Sequence, residues 1–325
     1  MSTSSPAFTD TEIERHRPAL VGYCYRMLGS PFEAEDAVQD TMLRAWRSRE
    51  RFEGRSSVKS WLYSIATNVC LDQLKGRKRR ATPMDLGPAR AAELANLNLR
   101  PDEEWIEPIP DSLVAPDPDP AEAAVRGESL RLAFVAALQR LPARQRAALI
   151  LCEALHWSAA EAAELLDSSV ASINSVLQRA RATLADSAGA EDARVSDLGA
   201  DEQALLARYV DAFERYDMEV LQSLIHEDAS QSMPPYDLWL AGRDDILKWW
   251  VGPGGGCRGS RVIPTISANG SPAFAQYKPS ASGEGYEPWA LQVLELRDGG
   301  IGRFTFFLNV QTLFPLFGLP LTFEG

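Results

Sequence analysis

Across residues 9–80 apolar positions return every three or four residues, the period of a helix that buries one side. Three such segments, near 11–29, 32–49 and 58–79, are separated by Gly-Ser-Pro and Phe-Glu-Gly-Arg-Ser-Ser, and they predict a three-helix unit. In the second segment Ala34, Val38, Met42, Ala45 and Trp46 form the inward stripe, while Asp36, Gln39, Asp40, Leu43 and Arg47 share another side. In the third, Trp61, Leu62, Ile65, Ala66 and Val69 turn inward, which leaves Asn68, Asp72, Lys75 and Arg79 stacked on the outer face. The period resumes at Glu128, where Leu130, Phe134, Ala137, Leu138 and Leu141 make a stripe that stops at Pro142. A helix over about 143–154 follows. Ser158-Ala-Ala-Glu161 then reads as a capping box opening a short helix, and Asp167-Ser168-Ser169 turns the chain into a longer one. In that last helix Val170, Ile173, Leu177, Ala180 and Leu184 repeat as a buried stripe, opposite Ser169, Ser172, Asn174, Ser175, Gln178, Arg179 and Arg181. Short polar groups first and cations later are the layout of a helix-turn-helix whose second helix meets base edges and then phosphates.

The C-terminal third has a different rhythm. Residues 201–216 predict an amphipathic helix with Leu205, Tyr209, Ala212 and Phe213 on one side, followed by a short helix over 218–225. Alternating runs at 229–233, 261–268, 272–278, 287–296 and 301–309 predict strands, interrupted by a helix near 244–250. Asn269-Gly270 and Asp298-Gly299-Gly300 supply hairpin turns, and helices followed by antiparallel strands indicate an α+β domain. Between the two helical blocks, residues 81–127 carry eight prolines among acidic residues, so no sustained regular structure is expected there. Trp105, Ile106 and Ile109 interrupt that polar run as a docking patch. The expected organisation is multidomain: an all-α helical domain over 1–80, an acidic Pro-rich linker over 81–127, an all-α helix-turn-helix domain over 128–186, a second linker over 187–198 and an α+β domain over 199–325.

Charge separates these segments further. The 325 residues carry a net charge of -12, yet residues 1–80 hold 14 Lys and Arg against 10 Asp and Glu. Residues 81–127 hold 3 against 10, residues 128–186 are balanced at 6 against 6, and residues 187–325 hold 10 against 19. The first block ends in Lys75-Gly-Arg-Lys-Arg-Arg80, a run able to neutralise phosphates. Trp61 and Tyr63 nearby are suited either to stacking on unpaired bases or to the core. Cys24, Cys70, Cys152 and Cys257 are scattered, with no metal-ligand spacing, so neither a disulfide framework nor a metal site is expected, and no cofactor. The glycine-rich stretch 252–257 lacks a Lys or Ser at phosphate-loop spacing. No apolar run long enough to span a bilayer and no apolar N-terminal core are seen, so the expectation is a cytoplasmic protein without a membrane partner.

With these motifs in order, residues 9–186 resemble the extracytoplasmic-function group of bacterial sigma-70-type transcription initiation factors. Glu35-Asp36-Ala37-Val38-Gln39-Asp40-Thr41 with Leu43-Arg44-Ala45-Trp46 looks like the family's polymerase-clamp helix. The resemblance implies that Asp36, Gln39, Asp40, Leu43, Arg44 and Arg47 bind core RNA polymerase, on the beta-prime clamp, with the beta flap a second contact. Residues 60–68, Asp72 and Leu74, up to the basic run, look like the element that melts and reads promoter region minus ten. It implies DNA contacts by Lys59, Trp61, Asn68, Asp72, Lys75, Arg77, Lys78, Arg79 and Arg80, and by Arg55 and Ser56 in the loop 52–57 that cradles an extruded base. Residues 141–146 and the helix-turn-helix look like the domain that reads region minus thirty-five, through Ser169, Ser172, Ser175 and Arg179. The acidic linker would occupy the RNA path.

Residues 199–325 resemble the SnoaL-like branch of the NTF2-like fold, a curved sheet with helices that closes a cone-shaped pocket. The match rests on element order and on stretches such as Ile225-His-Glu-Asp-Ala229, Leu240-Ala-Gly-Arg243 followed by Trp249-Trp250, and Ala268-Asn-Gly-Ser-Pro-Ala-Phe274. Tyr209, Phe213, His226, Trp239, Trp250 and Trp289 are the candidate pocket residues for an unknown small ligand. The reading is therefore a sigma factor, itself non-catalytic, whose activity is regulated by its fused C-terminal domain. The alternative is a small-molecule cyclase or isomerase fused to a DNA-binding regulator, with His226, Asp228, Asp237 and Glu295 as candidate acids and bases. Contacts between the C-terminal domain and the first block are expected to use Trp105, Ile106, Ile109 and the apolar tail over 313–321.

Overall fold

The computed structural model describes residues 10–52, 54, 56–114, 129–185 and 198–324. They divide into two compact units: residues 1–80 with 106–188, and residues 81–105 with 189–325. The segment expected to be one linker is thus split, its first part belonging with the C-terminal domain.

In the first unit, helix α1 (Arg17–Leu28) buries every residue from Leu20 to Leu28 and stops at Gly29, whose φ of 77° closes the helix in the left-handed region. Helix α2 (Pro31–Ser48) starts with proline at its first turn and with Ser30 accepting from the Glu33 amide, and it buries Ala34, Ala37, Val38, Thr41, Met42 and Ala45. Trp46, expected on that stripe, is 54% exposed, with the Arg49 guanidinium 5.5 Å from its ring centroid. The buried stripe thus ends at Ala45. Helix α3 (Val58–Gln73) is capped by Ser57 and buries Leu62, Tyr63, Ala66, Thr67, Val69 and Cys70, while Ile65 is only half-buried. The Tyr23 and Thr67 hydroxyls share a hydrogen bond of 2.7 Å, and Tyr23 meets the Tyr63 ring edge-on at 5.2 Å.

The second helical block belongs to the same unit. It comprises α4 (Leu132–Gln139), α5 (Ala143–Leu149) running into a π turn at Ile150–Ala154, α6 (Ala159–Leu165) and α7 (Val170–Ala185). Ser158 and Glu161 form the expected capping box, and Asp167 takes a φ of 48° in the turn before α7. Two buried arginines tie the blocks together. Arg26 donates to the Ser129 hydroxyl at 2.7 Å and to the Gly22 carbonyl at 2.8 Å. Arg146 donates to the carbonyls of Met27, Leu138, Gln139 and Leu141 and to the Gln139 side chain. Burial pushes its pKa down to about 10, which leaves it cationic at neutral pH. Tyr63 and Trp157 add an edge contact at 5.4 Å.

The second unit contains α8 (Ala200–Arg215), α9 (Met218–Leu224), β1 (Ile225–Ser232), β2 (Trp239–Ala241), α10 (Arg243–Val251), β3 (Arg261–Pro264), β4 (Ala273–Pro279), β5 (Tyr286–Arg297), β6 (Gly300–Phe307) and α11 (Val310–Leu316). The sheet order is β2-β1-β6-β5-β4-β3, antiparallel except for the β1–β6 pair. Asp298 and Gly299, with φ of 49° and 75°, make the tight β5–β6 turn. Tyr209 and Phe213 of α8 and Trp250 of α10 pack with Phe304 over the sheet. A polar chain crosses this core: Tyr209 donates to Gln292 at 2.7 Å, Gln292 to Gln276 at 2.9 Å, and Gln276 to Ser260 at 3.0 Å. The apolar tail is used inside this unit: Leu313, Phe314 and Phe317 are buried, Phe314 meets Tyr277 edge-on at 5.2 Å, and the Tyr277 hydroxyl donates to the Pro320 carbonyl at 2.9 Å.

Residues 81–105 have only short turns of helix, as their prolines require, yet they are firmly attached to this second unit. Asp237 receives Arg90, Asn98 at 3.3 Å and Arg100 at 3.5 Å. The backbone adds Arg90 N–H to the Trp239 carbonyl at 3.2 Å, Asp237 N–H to the Asn98 carbonyl at 3.0 Å and Arg100 N–H to the Pro235 carbonyl at 3.0 Å.

Candidate functional site

The outer face of α2 keeps Asp36, Gln39, Leu43, Arg44 and Arg47 exposed and Asp40 half-buried. Leu43 stands 47% exposed among these polar groups. An Asp40–Arg44 ion pair of 2.8 Å holds the lower part of the face, and Arg44 also reaches Asp72 of α3 at 3.9 Å.

The second surface runs along α3. Ser56, Lys59, Asn68, Asp72 and Lys75 are exposed, whereas Arg55 lies outside the described residues. Trp61 is half-buried, its ring 5.1 Å from Phe52, so it braces the loop that precedes the helix. The Asp72 carboxyl is held below its ordinary range by the Lys75 hydrogen bond at 2.6 Å. Arg77, Lys78 and Arg79 remain exposed, although Arg77 reaches Glu33 at 2.8 Å. Arg80 is a correction to the expected DNA-binding set. Its side chain is 8% exposed and sits between Glu33 at 3.0 Å and Glu107 at 3.6 Å, where two carboxylates compensate its loss of water.

On α7 the exposed series is the expected one: Ser169, Ser172, Asn174, Ser175, Gln178, Arg179 and Arg181 all face solvent, while Ile173, Leu177 and Ala180 are buried. Val170 departs from its expected place, being 44% exposed, because it lies in the first turn ahead of the packed part of the helix. The side chain of Leu184 lies outside the described residues. The Ser169 hydroxyl accepts from the Ser172 amide at 3.1 Å and so caps the helix, and Arg179 reaches Ser175 at 3.3 Å. Arg181 is drawn to Glu153 at 2.5 Å.

The second unit holds a cavity of about 750 Å³ lined by Phe213, Trp249, Trp250 and Trp289, among others. Of the expected pocket residues, Phe213, Trp250 and Trp289 line it, and Tyr209, His226 and Trp239 do not. Tyr209 is spent in the core and its polar chain. His226 pairs with Asp228 at 2.5 Å beside Arg297, and this His226 hydrogen bond, with Arg297, lowers the pKa of the exposed Asp228. Trp239 donates instead to the Gly87 carbonyl at 2.8 Å. The four candidate acids and bases are outside the cavity as well: Asp237 serves residues 90–100, and Glu295 pairs with Arg303 across β5 and β6 at 3.0 Å.

Comparison with known proteins agrees with this layout. The Sigma-70 region 2 model matches residues 13–80, the Sigma-70 region 4 model residues 131–184 and the SnoaL-like domain model residues 206–304. The ECF RNA polymerase sigma factor SigG of Mycobacterium tuberculosis is 44% identical over 311 residues, covering 94% of this chain and 82% of SigG. The chain belongs to the ECF RNA polymerase sigma factors. SigJ of M. tuberculosis, of the same family, is 26% identical over 306 residues, covering 90% of this chain and 88% of SigJ. The crystal structure of SigJ superposes with a TM-score of 0.62 at 22% identity, covering 96% of this chain and all of that one, and shows the same fold.

As a sigma factor the chain is a transcription factor whose regions 2 and 4 serve promoter recognition, and its C-terminal domain has an enzyme-like fold. Among the described residues no helix is long and apolar enough to cross a membrane. Three features of this sigma factor were not read from the sequence in the role the structure gives them. The buried Arg26 and Arg146 were given no structural role, and the apolar neighbours of Arg26 in Val21–Leu28 are the signal that pointed to its burial. Asp237 looked like a pocket acid. Leu94, Leu97 and Leu99 lay in a stretch expected to be linker, although their apolar character was visible.

Proposed function

We propose that this sigma factor docks on the polymerase clamp through the exposed face of α2, positions melted minus-ten DNA along α3 and its basic end, and reads the minus-thirty-five element with the N-terminal half of α7. The observation that carries this reading is the exposed Leu43 framed by Asp36, Gln39, Asp40, Arg44 and Arg47. A hot-spot residue of this kind loses most of its binding energy when a charge replaces it, so Leu43→Asp should cut retention of core polymerase by about tenfold or more. Helicity by circular dichroism should not change, since Leu43 is not in the core. Normal co-purification of the variant with core enzyme would remove the clamp assignment.

Regulation by the C-terminal domain is the second part of the proposal, and its support is the attachment of residues 81–105 to that domain. This stretch joins region 2 to the rest of the connection to region 4, so whatever holds it bears on the path of the chain between the two promoter-reading regions. None of the four acid–base candidates read from the sequence lines the cavity, and among the ionisable groups that do, Lys278 and Glu287 are paired with each other and Asp102 accepts from Asn309, which favours a regulatory role over a catalytic one.

A further inference from the structure

We infer that the cavity of the C-terminal domain is a binding site for a neutral, largely apolar small molecule, and that residues 94–99 of the connection between regions 2 and 4 are one wall of it. Leu94, Leu97 and Leu99 line the cavity together with Trp249, Trp250 and Trp289. Leu94 and Leu99 are 62% and 69% exposed, an unusual state for leucines in a segment that is fastened on both sides. The fastening is polar: Arg90 precedes them on Asp237, and Asn98 and Arg100 hold the same carboxylate from the other end. Asn309 also donates to Asp102 at 3.2 Å just beyond. The segment is therefore positioned by these charges and hydrogen bonds together with the packing of Ala92 and Leu97 on the core, while Leu94 and Leu99 are left exposed on the lining of the space.

The chemistry of the lining selects the ligand. At about 750 Å³ the space suits a molecule of drug size, and its walls are mainly aromatic and aliphatic. Lys278 is already paired with Glu287 at 3.1 Å and lies 3.9 Å from the Trp289 ring centroid, and Asp102 adds a further negative charge. An anion meets no uncompensated cation among these groups, so a neutral aromatic or alicyclic molecule with few polar groups fits best. Such a ligand covers the leucines as it fills the cavity. Occupancy then stabilises the docked segment, and by reciprocity the docked segment raises ligand affinity. The consequence for transcription rests on the regulatory reading above; the binding itself does not.

The test uses the full chain without polymerase, so that it fails or succeeds independently of the sigma reading. Nile red, a neutral polycyclic dye, should bind saturably at one site with quenching of tryptophan emission. Leu94→Ser, Leu97→Ser and Leu99→Ser combined should weaken it by about tenfold or more. In the unsubstituted chain, saturating dye should slow proteolysis within residues 81–105 by about fivefold or more. This second readout does not depend on the variant folding. Absence of saturable binding would overturn the site. Saturable binding that neither the leucine substitutions nor the protease reports through residues 81–105 would overturn the wall.

Discussion

Asp237 shows how one side chain can be misread from sequence and still be central. Burial opposes its ionisation, but hydrogen bonds from Arg90 and Asn98 and the charge of Arg90 outweigh this and lower its pKa. A carboxylate with a lowered pKa contributes stability above its unfolded value of about 3.8, and the contribution is lost as pH falls through the lower folded value. Docking of residues 81–105 should thus be indifferent to pH between 5 and 8 and loosen only in strong acid. Asp237→Ala should lower the unfolding free energy of the C-terminal unit by about 1–3 kcal/mol in urea titrations, since it removes the acceptor that Arg90, Asn98 and Arg100 share. A variant as stable as the unsubstituted chain would show that the three donors contribute little. Arg80 makes the same point on the other unit: Arg80→Ala should destabilise the fold, while Arg79→Ala, at an exposed position, should leave the melting temperature alone and reduce the salt dependence of promoter binding. Equal effects on stability would contradict that division.

At the scale of elements, the helices were legible because each carried its period and its cap in consecutive residues: Ser30 with Pro31, Ser57, and Ser158 with Glu161. The strands of the C-terminal domain were legible to within a few residues, except β2, whose three residues are too few for alternation to show. Periodicity failed where it was extended past the neighbours that bury it, at Trp46 and Val170. It also could not show contacts such as Arg90 with Asp237, 147 positions apart, or Arg146 with Met27, 119 apart. The exposed faces of α2 and α7 were legible because exposure follows from the same helical period that sets the core. On α7, Ser172→Ala should shift preference among upstream promoter sequences, whereas Arg179→Ala should weaken all of them alike in electrophoretic assays. A uniform loss from the serine change would reverse the assigned orientation of the helix. Arg146→Ala leaves carbonyls of α1 and of the α4–α5 turn without a donor, and it should cost at least about 2 kcal/mol in the stability of the first unit. No loss would mean that water replaces the guanidinium.

At the scale of the whole molecule, charge is distributed by role. Residues 1–80 carry the excess of cations and residues 187–325 the excess of acids, within a chain of net charge -12. A net negative sigma factor has weak counterion-release affinity for DNA when free, which limits idle binding and leaves promoter engagement to the assembled polymerase. Residues 81–105, part of the connection between the promoter-reading regions, belong with the C-terminal domain, and on the proposed regulatory reading they link the cavity and the Asp237 contacts to transcription. Run-off transcription with core polymerase tests that link most directly, comparing the full chain with an Arg90→Ala, Asp237→Ala double variant. The account predicts promoter-specific transcripts from both, with yields differing by about threefold or more. Equal yields across salt and sigma concentration, or no promoter-specific transcript from the unsubstituted chain, would contradict it.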